Sequence, residues 1–239
     1  QLAVLTKLVD PDAADTLILG AKMLGTLPKT GLGSPIAPAK TQPTPMAKAK
    51  DASKLKPVTS RSELKRSQLK HNEQLLASLK EDTHSAFLLE EMRSDALLGR
   101  MSEPVLASKI DLSSILIARR FSREQGVKDD GSTKLRAVDD EIGCGLNGAT
   151  EPTEKLHNEH IDMLLQTTDL TWKQSGAAPS FWKADVDSAF RRVPISFGDR
   201  DFVWVAVKHQ GEVWIARHNS TCFGATASVH AWNRVGALL

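Results

Sequence analysis

The sequence predicts an α+β fold, in which a helical N-terminal region with an extended arm precedes an antiparallel sheet with flanking helices. Leucines recur at helical intervals between residues 60 and 98, whereas short apolar runs separated by turn residues dominate after residue 110. The chain has 239 residues, of which 41% are hydrophobic and 25% charged, a composition that suffices for a packed core. Its length allows one large domain or two small ones.

Residues 1–27 predict a short helix, and residues 28–58 predict a linker. Asp10 can cap a helix over about 11–27, and Pro11 suits its first turn; the alternative is a peptide that is ordered only under a partner. Residues 28–58 contain six prolines and are too polar to offset the entropy cost of ordering. The lysines of this linker could tether a polyanion, although a solvated segment is the simpler interpretation.

Residues 59–110 predict a helical hairpin. Ser60 and Glu63 have the spacing of a capping box, which indicates that the first helix begins there. A second helix is expected over Ser85–Leu98, and Gly99 is a plausible residue to end it.

Residues 111–239 predict a mixed unit that begins with a β-hairpin. The hairpin covers about Ile115 to Asp139, because the Asp130-Gly131 step between two apolar runs is a strong turn signal. Further strands and helices are expected in this order: a helix at 153–168, strands at 180–187, 201–208 and 212–218, and a helix at 225–238.

Charge and cysteine content set limits on function. Residues 111–239 carry fifteen basic and seventeen acidic side chains, a net charge of −2, which lowers the expectation of tight nucleic-acid binding without excluding a local basic groove. Cys144 and Cys222 are too few for a zinc site or a disulfide framework, so we expect reduced, partly buried thiols. An intracellular setting fits best, and an organelle is compatible with a chain that starts at Gln1. No transmembrane span is predicted, because the longest N-terminal apolar stretch is shorter than the ~20 residues required.

Three motifs follow each other in residues 115–239. The stretch from Asp130 to Asp139, with Asn147 after it, resembles the fingers hairpin of a reverse transcriptase. The sequence Ala184-Asp-Val-Asp-Ser-Ala-Phe190 resembles the first palm motif of that family, and Phe223-Gly-Ala-Thr-Ala-Ser228 resembles the second. The chain therefore resembles an incomplete fingers–palm unit of a retroelement-type RNA-directed DNA polymerase over about half of its length.

The resemblance implies a site for metal-assisted phosphoryl transfer. Asp185 would be the catalytic carboxylate and a Mg2+ ligand, and the backbone carbonyl of Val186 would assist it. Two such ions stabilise the attacking and leaving oxygens of nucleotide addition, and Mg2+ prefers hard oxygen ligands. The expected partner is an RNA or DNA template with its primer.

The resemblance also implies nucleotide-binding residues. Lys134 or Arg136 would pair with the incoming triphosphate, and the two remain alternatives. Phe190 would stack under the sugar, and Gly224 would permit close approach of the template strand. Each has a structural alternative: the two cations lie on alternate positions of one strand and could form a solvated face, and Phe190 could be ordinary core.

Other candidates favour structural interpretations. Asp187 is expected to form a salt bridge with Arg191 or Arg192. His157 and His160 share a helix face and could hold a metal, although a hydrogen-bonded or exposed pair is the simpler expectation. The tryptophans are expected to pack in the core rather than stack on bases.

The third palm motif of the family, a hairpin with paired aspartates, does not occur before Leu239. Two-metal catalysis needs those carboxylates, so this stretch of chain is expected not to polymerise DNA by itself. The alternative function is that of a non-catalytic structural subunit, derived from a reverse-transcriptase fold and bound to other protein subunits in a large complex.

Overall fold

The computed structural model describes residues 10, 12–36, 59–127, 129–156, 161–181 and 185–237. The chain folds as a mixed α+β structure, as predicted. Within the described ranges the α-helices are α1 (Ala13–Leu19), α2 (Arg61–Ser78), α3 (Ser85–Leu97), α4 (Ile161–Ser175) and α5 (Thr226–Gly236). The strands are β1 (Gly25–Thr26), β2 (Ser34–Pro35), β3 (Val105–Leu106), β4 (Ile117–Val127), β5 (Thr133–Asp139), β6 (Thr150–Glu151), β7 (Glu154–Lys155), β8 (Trp204–His209) and β9 (Glu212–Arg217). No helix in the described ranges is long and apolar enough to cross a membrane.

A five-stranded sheet forms the centre of the fold, in the order β3-β9-β8-β4-β5. Neighbouring strands in this sheet are antiparallel, except that β4 and β8 run parallel to each other. The predicted hairpin is confirmed, because β4 pairs with β5 from Arg120↔Asp139 outwards. Gly131 in the turn has a φ of 80°, a backbone conformation that glycine adopts without a Cβ penalty.

Side chains of the sheet alternate between two apolar layers. On one side, Val205 and Val207 pack with Leu88 and Met92 of α3. On the other side, alternate residues such as Ile215 pack with leucines at the end of α2. The two predicted helices therefore cover the sheet, which gives each amphipathic helix a surface on which to bury its apolar stripe.

Helix α2 begins and runs as the sequence predicts. The Ser60 hydroxyl accepts the backbone N–H of Glu63, and the Glu63 carboxylate accepts that of Ser60, so the capping box is confirmed. Further along, Asn72 is fully buried and pairs with the backbone of the strand beneath it. Its Nδ2 donates to the Ile115 carbonyl at 2.7 Å, and its Oδ1 accepts the Ile117 N–H at 3.0 Å. The helix thus supplies hydrogen-bond partners for backbone groups at the start of β4, on the N-terminal side of the residues that pair with β5.

The N-terminal arm joins the fold by hydrogen bonds from its backbone. The predicted helix over 11–27 ends at Leu19, and β1 follows, paired in parallel with β6. β2 pairs with β7, and the Glu154 carboxylate accepts the N–H groups of Thr30 and Gly31 at 2.7 Å each. Within the predicted linker, residues 30–35 therefore pair with residues 154–155 of the same chain. Residues 37–58 and Pro11 lie outside the described residues.

Three predicted elements have different bounds in the structure. The helix expected at 153–168 runs instead from Ile161 to Ser175, because residues 154–155 are drawn into β7. No described residue of 180–187 lies in a strand. The strand expected at 201–208 begins at Trp204, after a 3-10 helix over Phe197–Phe202. The last two predictions, β9 and α5, are confirmed.

Candidate functional site

One face of the β4–β5 hairpin carries four cations around a phenylalanine. Side chains alternate along a strand, so Arg119, Phe121 and Arg123 of β4 share one face. Arg123 lies directly opposite Arg136 of β5, and Lys134 lies two residues before Arg136 on the same side. We call this surface the basic face. The buried side of the same hairpin carries Arg120, Ala137 and Asp139, which turn towards the core.

The guanidinium groups of the basic face rest on aromatic rings instead of carboxylates. Arg119 and Arg123 lie over the ring of Phe121, at 5.7 and 5.1 Å from its centroid. Among the described residues, no carboxylate forms an ion pair with Arg119, Arg123, Lys134 or Arg136. Like charges opposite each other in a sheet repel, so the Arg123–Arg136 pair costs stability unless an anion joins it.

Two of the predicted nucleotide-binding residues meet at one end of this face. The guanidinium of Arg136 lies 4.6 Å from the centroid of the Phe223 ring. Phe223 in turn contacts Phe190 edge-on, with centroids 5.1 Å apart. Phe190 lies in a 3-10 helix over Ala189–Arg192 and is half-buried. The structure therefore joins strand β5, the 3-10 helix of Phe190 and the turn of Phe223 through one aromatic pair, Phe190–Phe223, which we call the platform.

Gly224 lies beside the platform, where it packs closely against the backbone at the end of β5. Its φ is 109°, and a Cβ built on it would lie 2.2 Å from the carbonyl oxygen of Asp139. The turn therefore needs glycine so that it can approach the end of β5. The resemblance implied a close approach to a template strand; the neighbour seen in the structure is the chain's own backbone.

Asn147 fixes the same turn from the other side. Its Nδ2 donates to the Gly224 carbonyl at 2.8 Å, and its Oδ1 accepts the Thr226 N–H at 2.7 Å. The backbone N–H of Asn147 donates to the carbonyl of Glu141 at 3.0 Å. One carboxamide thus links the loop after β5 to the start of α5.

Asp185 and Val186 are exposed and lie in an irregular segment. Within the described part of the chain, Asp185 makes no hydrogen bond or ion pair. The salt bridge predicted for Asp187 is confirmed with Arg192, at 3.3 Å, while Arg191 binds Asp95 at 2.6 Å. His157 and His160 lie outside the described residues.

A buried charged network lies under the platform. His218 is fully buried, and its Nε2 lies 3.0 Å from the Asp139 carboxylate. Its Nδ1 lies 2.9 Å from the guanidinium of Arg191. Because arginine can only donate, Nδ1 accepts and the proton stays on Nε2, which donates to Asp139. Arg191 also donates to the carbonyls of Ser220 and Thr221, so the network holds the segment that leads to Phe223.

The protonation states of this pair follow from burial and neighbours. Burial lowers the pKa of His218 to about 4 although Asp139 opposes that change, so the imidazole is neutral at pH 7. Burial alone would raise the pKa of Asp139, but the nearby Arg120 and the hydrogen bond from His218 bring it below its ordinary value. The network is therefore a neutral histidine between the Asp139 carboxylate and the Arg191 guanidinium, with Arg120 on the other side of the carboxylate.

Glu141 is buried beside this network with two thiols as donors. Cys144 donates to Oε2 at 3.2 Å, and Cys222 approaches Oε1 at 3.6 Å. Burial, reinforced by the charge of Asp139, raises the pKa of Glu141 to about 8. Burial and Glu141 also raise the pKa of both thiols well above the ordinary value. Both cysteines are free, as predicted, and they are buried rather than partly buried.

The ligand atoms of Asp139, His218 and Cys222 lie within 4.8 Å of one another, which is close enough to surround a metal ion. The chemistry argues against it. The imidazole lone pair on Nδ1 faces Arg191 and Nε2 carries a proton, while metal-bound histidine donates from its distal nitrogen. A thiol with a raised pKa resists forming the thiolate that metals bind. Nitrogen and sulfur donors also do not suit Mg2+.

The sequence analysis missed Arg119, Phe121 and Arg123 as functional candidates. The signal was present, because an Arg-x-Phe-x-Arg alternation on β4 faces Lys-x-Arg on β5. The net charge of residues 111–239 obscured it, because a sum over the sequence does not show that four of the cations share one face of a hairpin.

Comparison of the chain with models of protein families and with curated proteins finds no match in either.

Proposed function

We propose that residues 111–239 are a reverse-transcriptase-like fingers–palm unit whose basic face binds the phosphates of nucleotides and nucleic acid. By resemblance, the reaction of the family is RNA-directed DNA synthesis. The observation that carries the proposal is the stacking of Arg136 on Phe223, which rests on Phe190. The three residues come from three separate motifs of the resemblance.

Unpaired, stacked arginines are suited to phosphate. Stacking on a ring orients the guanidinium plane and leaves its N–H edge free for bidentate contact with phosphate oxygens. Arg136, with Lys134 nearby on the same strand, would take the triphosphate. Arg119 and Arg123 would follow the nucleic-acid backbone.

Mg2+ enters this proposal through Asp185 and the carbonyl of Val186. Both offer the hard oxygen that Mg2+ prefers, and this ion is usually held by one or two carboxylates together with substrate phosphates. When bound, the ion would neutralise phosphate charge during transfer. Asp185 is exposed, so it is accessible to a bound nucleotide.

Binding tests the proposal directly. The affinity for a fluorescein-labelled single-stranded RNA and for a fluorescent dATP analogue is measured with and without Mg2+. Loss of one charged contact costs ~1.5–3 kcal/mol, so Arg136→Gln should weaken dATP binding by about tenfold or more. The matched control is Lys109→Gln, an exposed cation beyond β3 at the opposite edge of the sheet. Equal affinities for wild type and Arg136→Gln would contradict the proposal.

Catalysis is a separate question that primer extension answers. An RNA template with a DNA primer, deoxynucleoside triphosphates and Mg2+ are incubated with the wild-type chain and with Asp185→Ala. Incorporation by the wild type that Asp185→Ala abolishes would support polymerase activity. Equal, negligible incorporation by both would limit the proposal to binding.

A second candidate is the structural subunit. All residues of α4 are at least partly exposed, including large apolar side chains: Ile161, Met163, Leu164, Leu165, Leu170 and Trp172. Exposed apolar surface of this kind is typical of a protein interface. On this hypothesis the chain from its native source co-elutes with a large complex, and Leu165→Lys releases it. Elution of the native chain as a monomer would contradict this candidate.

A further inference from the structure

We infer that Asn147 is a positioning residue, which holds the Phe190–Phe223 platform in place under Arg136. The inference rests on the proposed function, since it concerns the same site. Asn147 lies in a 3-10 helix after β5, and its distances show contact with the turn of Gly224 rather than with the platform rings.

The Asn147 carboxamide makes two hydrogen bonds of opposite direction, one from each of its polar atoms. Its oxygen accepts the N–H of Thr226, which is the first residue of α5, at 2.7 Å. Its nitrogen donates to the carbonyl of Gly224 at 2.8 Å. The N-cap residue of α5 is Ala225, which has no side chain to cap the helix, so Asn147 supplies the cap from a distant loop.

The turn is also held on its opposite side. The Asp139 N–H donates to the Phe223 carbonyl at 3.4 Å, and Gly224 packs against the Asp139 carbonyl. Phe223 therefore lies between the end of β5 and the loop of Asn147. These contacts fix the backbone of Phe223, and its ring lies under Arg136, which projects from the same strand β5.

Both polar atoms of the Asn147 side chain are used within the protein. Because these bonds are made to the turn that carries Phe223, we expect the effect of Asn147 to pass through Phe223. A displaced Phe223 ring would release Arg136 from its stacked orientation. The guanidinium would then have to be ordered when the phosphate binds, which costs ~0.5–1.5 kcal/mol for a flexible side chain.

The test measures dissociation constants for the fluorescent dATP analogue with Mg2+. Asn147→Ala removes both hydrogen bonds and should weaken binding several-fold. Asn147→Asp retains the acceptor for Thr226 and removes the donor to Gly224, so it serves if the alanine variant folds poorly. The matched control is Ser228→Ala, which removes the hydrogen bond that the Cys222 N–H donates to the Ser228 hydroxyl in the same loop region. This control should lose stability without losing affinity.

A double-mutant cycle separates positioning from general stability. If Asn147 acts through the stacked Arg136, Asn147→Ala combined with Arg136→Gln should bind no more weakly than Arg136→Gln alone. Additive losses would show an independent structural effect and would overturn the inference. A wild-type chain that does not bind the analogue would contradict the proposed function, and the inference falls with it. Wild-type binding that both Asn147 variants retain overturns the inference alone.

Discussion

Glu141 illustrates how a single buried side chain can make stability depend on pH. Its pKa is raised from an ordinary 4.5 to about 8, because burial disfavours the carboxylate and the Asp139 charge adds to this. The folded protein therefore holds a proton that the unfolded chain releases between these two values. Stability that is fully present below pH 4.5 is lost progressively as the pH rises towards 8.

We predict that Glu141→Gln removes this pH dependence. Each unit of pKa separation corresponds to about 1.4 kcal/mol, so the variant should gain stability relative to wild type at pH 8 and little at pH 5. Urea unfolding at the two pH values measures the difference. Glu103→Gln, at an exposed position, is the control. If Glu141→Gln changes the free energy of unfolding by the same amount at both pH values, the Glu141 carboxyl of the folded protein is already ionised at pH 5.

The cluster of Asp139, His218 and Cys222 gives a second prediction at this scale. Because Arg191 occupies the imidazole Nδ1 and Nε2 keeps its proton, we expect added Zn2+ to leave the melting temperature unchanged. Thermal unfolding with and without a small excess of Zn2+ is the measurement. A rise in melting temperature that Cys222→Ser abolishes would mean that the tautomer argument is wrong.

At the scale of elements, α2 and β4 depend on one buried asparagine. Asn72 replaces a neighbouring strand at the start of β4 by pairing with the backbone of Ile115 and Ile117. A strand edge inside a protein that lacked partners would leave backbone N–H and C=O groups buried without hydrogen bonds. Such unpaired groups lower the stability of the fold. This contact therefore determines where the helix lies along the sheet.

We predict that Asn72→Ala destabilises the protein by about 3 kcal/mol, because it orphans a buried N–H and a buried carbonyl at ~1–3 kcal/mol each. Chemical denaturation measures the loss. Gln74→Ala, an exposed amide on the same helix, should change stability by less than about 0.5 kcal/mol. Comparable losses in the two variants would contradict the role assigned to Asn72.

Over the whole molecule, burial removes charged groups of both signs from the surface, including Arg120 and Arg191 as well as carboxylates. Several carboxylates of residues 111–239 are paired inside the fold: Asp139 with Arg120 and His218, and Asp199 with Arg61 and the N–H of Met23. The cations of the basic face stay at the surface. A domain that is slightly acidic by sequence thus presents a surface that can attract a polyanion.

The grouping of cations on the basic face predicts a salt-dependent interaction with single-stranded nucleic acid. Each phosphate contact contributes about 0.7 to the slope of log affinity against log salt concentration for single strands, so Arg123→Gln should reduce the slope by about that amount. Fluorescence anisotropy over a range of NaCl concentrations measures it, with Lys109→Gln as the control. If the slopes for wild type, control and Arg123→Gln coincide, Arg123 does not contact a phosphate.

The sequence by itself determined the elements whose signals are contained within a few residues. The capping box at Ser60, the Asp130-Gly131 turn and the amphipathic pattern of α5 each specify a local conformation, and all three form as predicted. The Asp187–Arg192 salt bridge was predictable for the same reason. The alternation of residues along β4 and β5 also indicates that their cations share one face, once the two strands are known to pair.

Only the tertiary structure decided which distant groups meet. The two-residue strands β1, β2, β6 and β7 are too short to show a periodic pattern, and they exist because a partner strand completes their hydrogen bonds. The contacts of Arg136 with Phe223 and of Asn147 with Gly224 depend on how the loops around the sheet return to its edge. Short-range propensity carries no information on such contacts, because their free energy arises only when the chain has closed around its core.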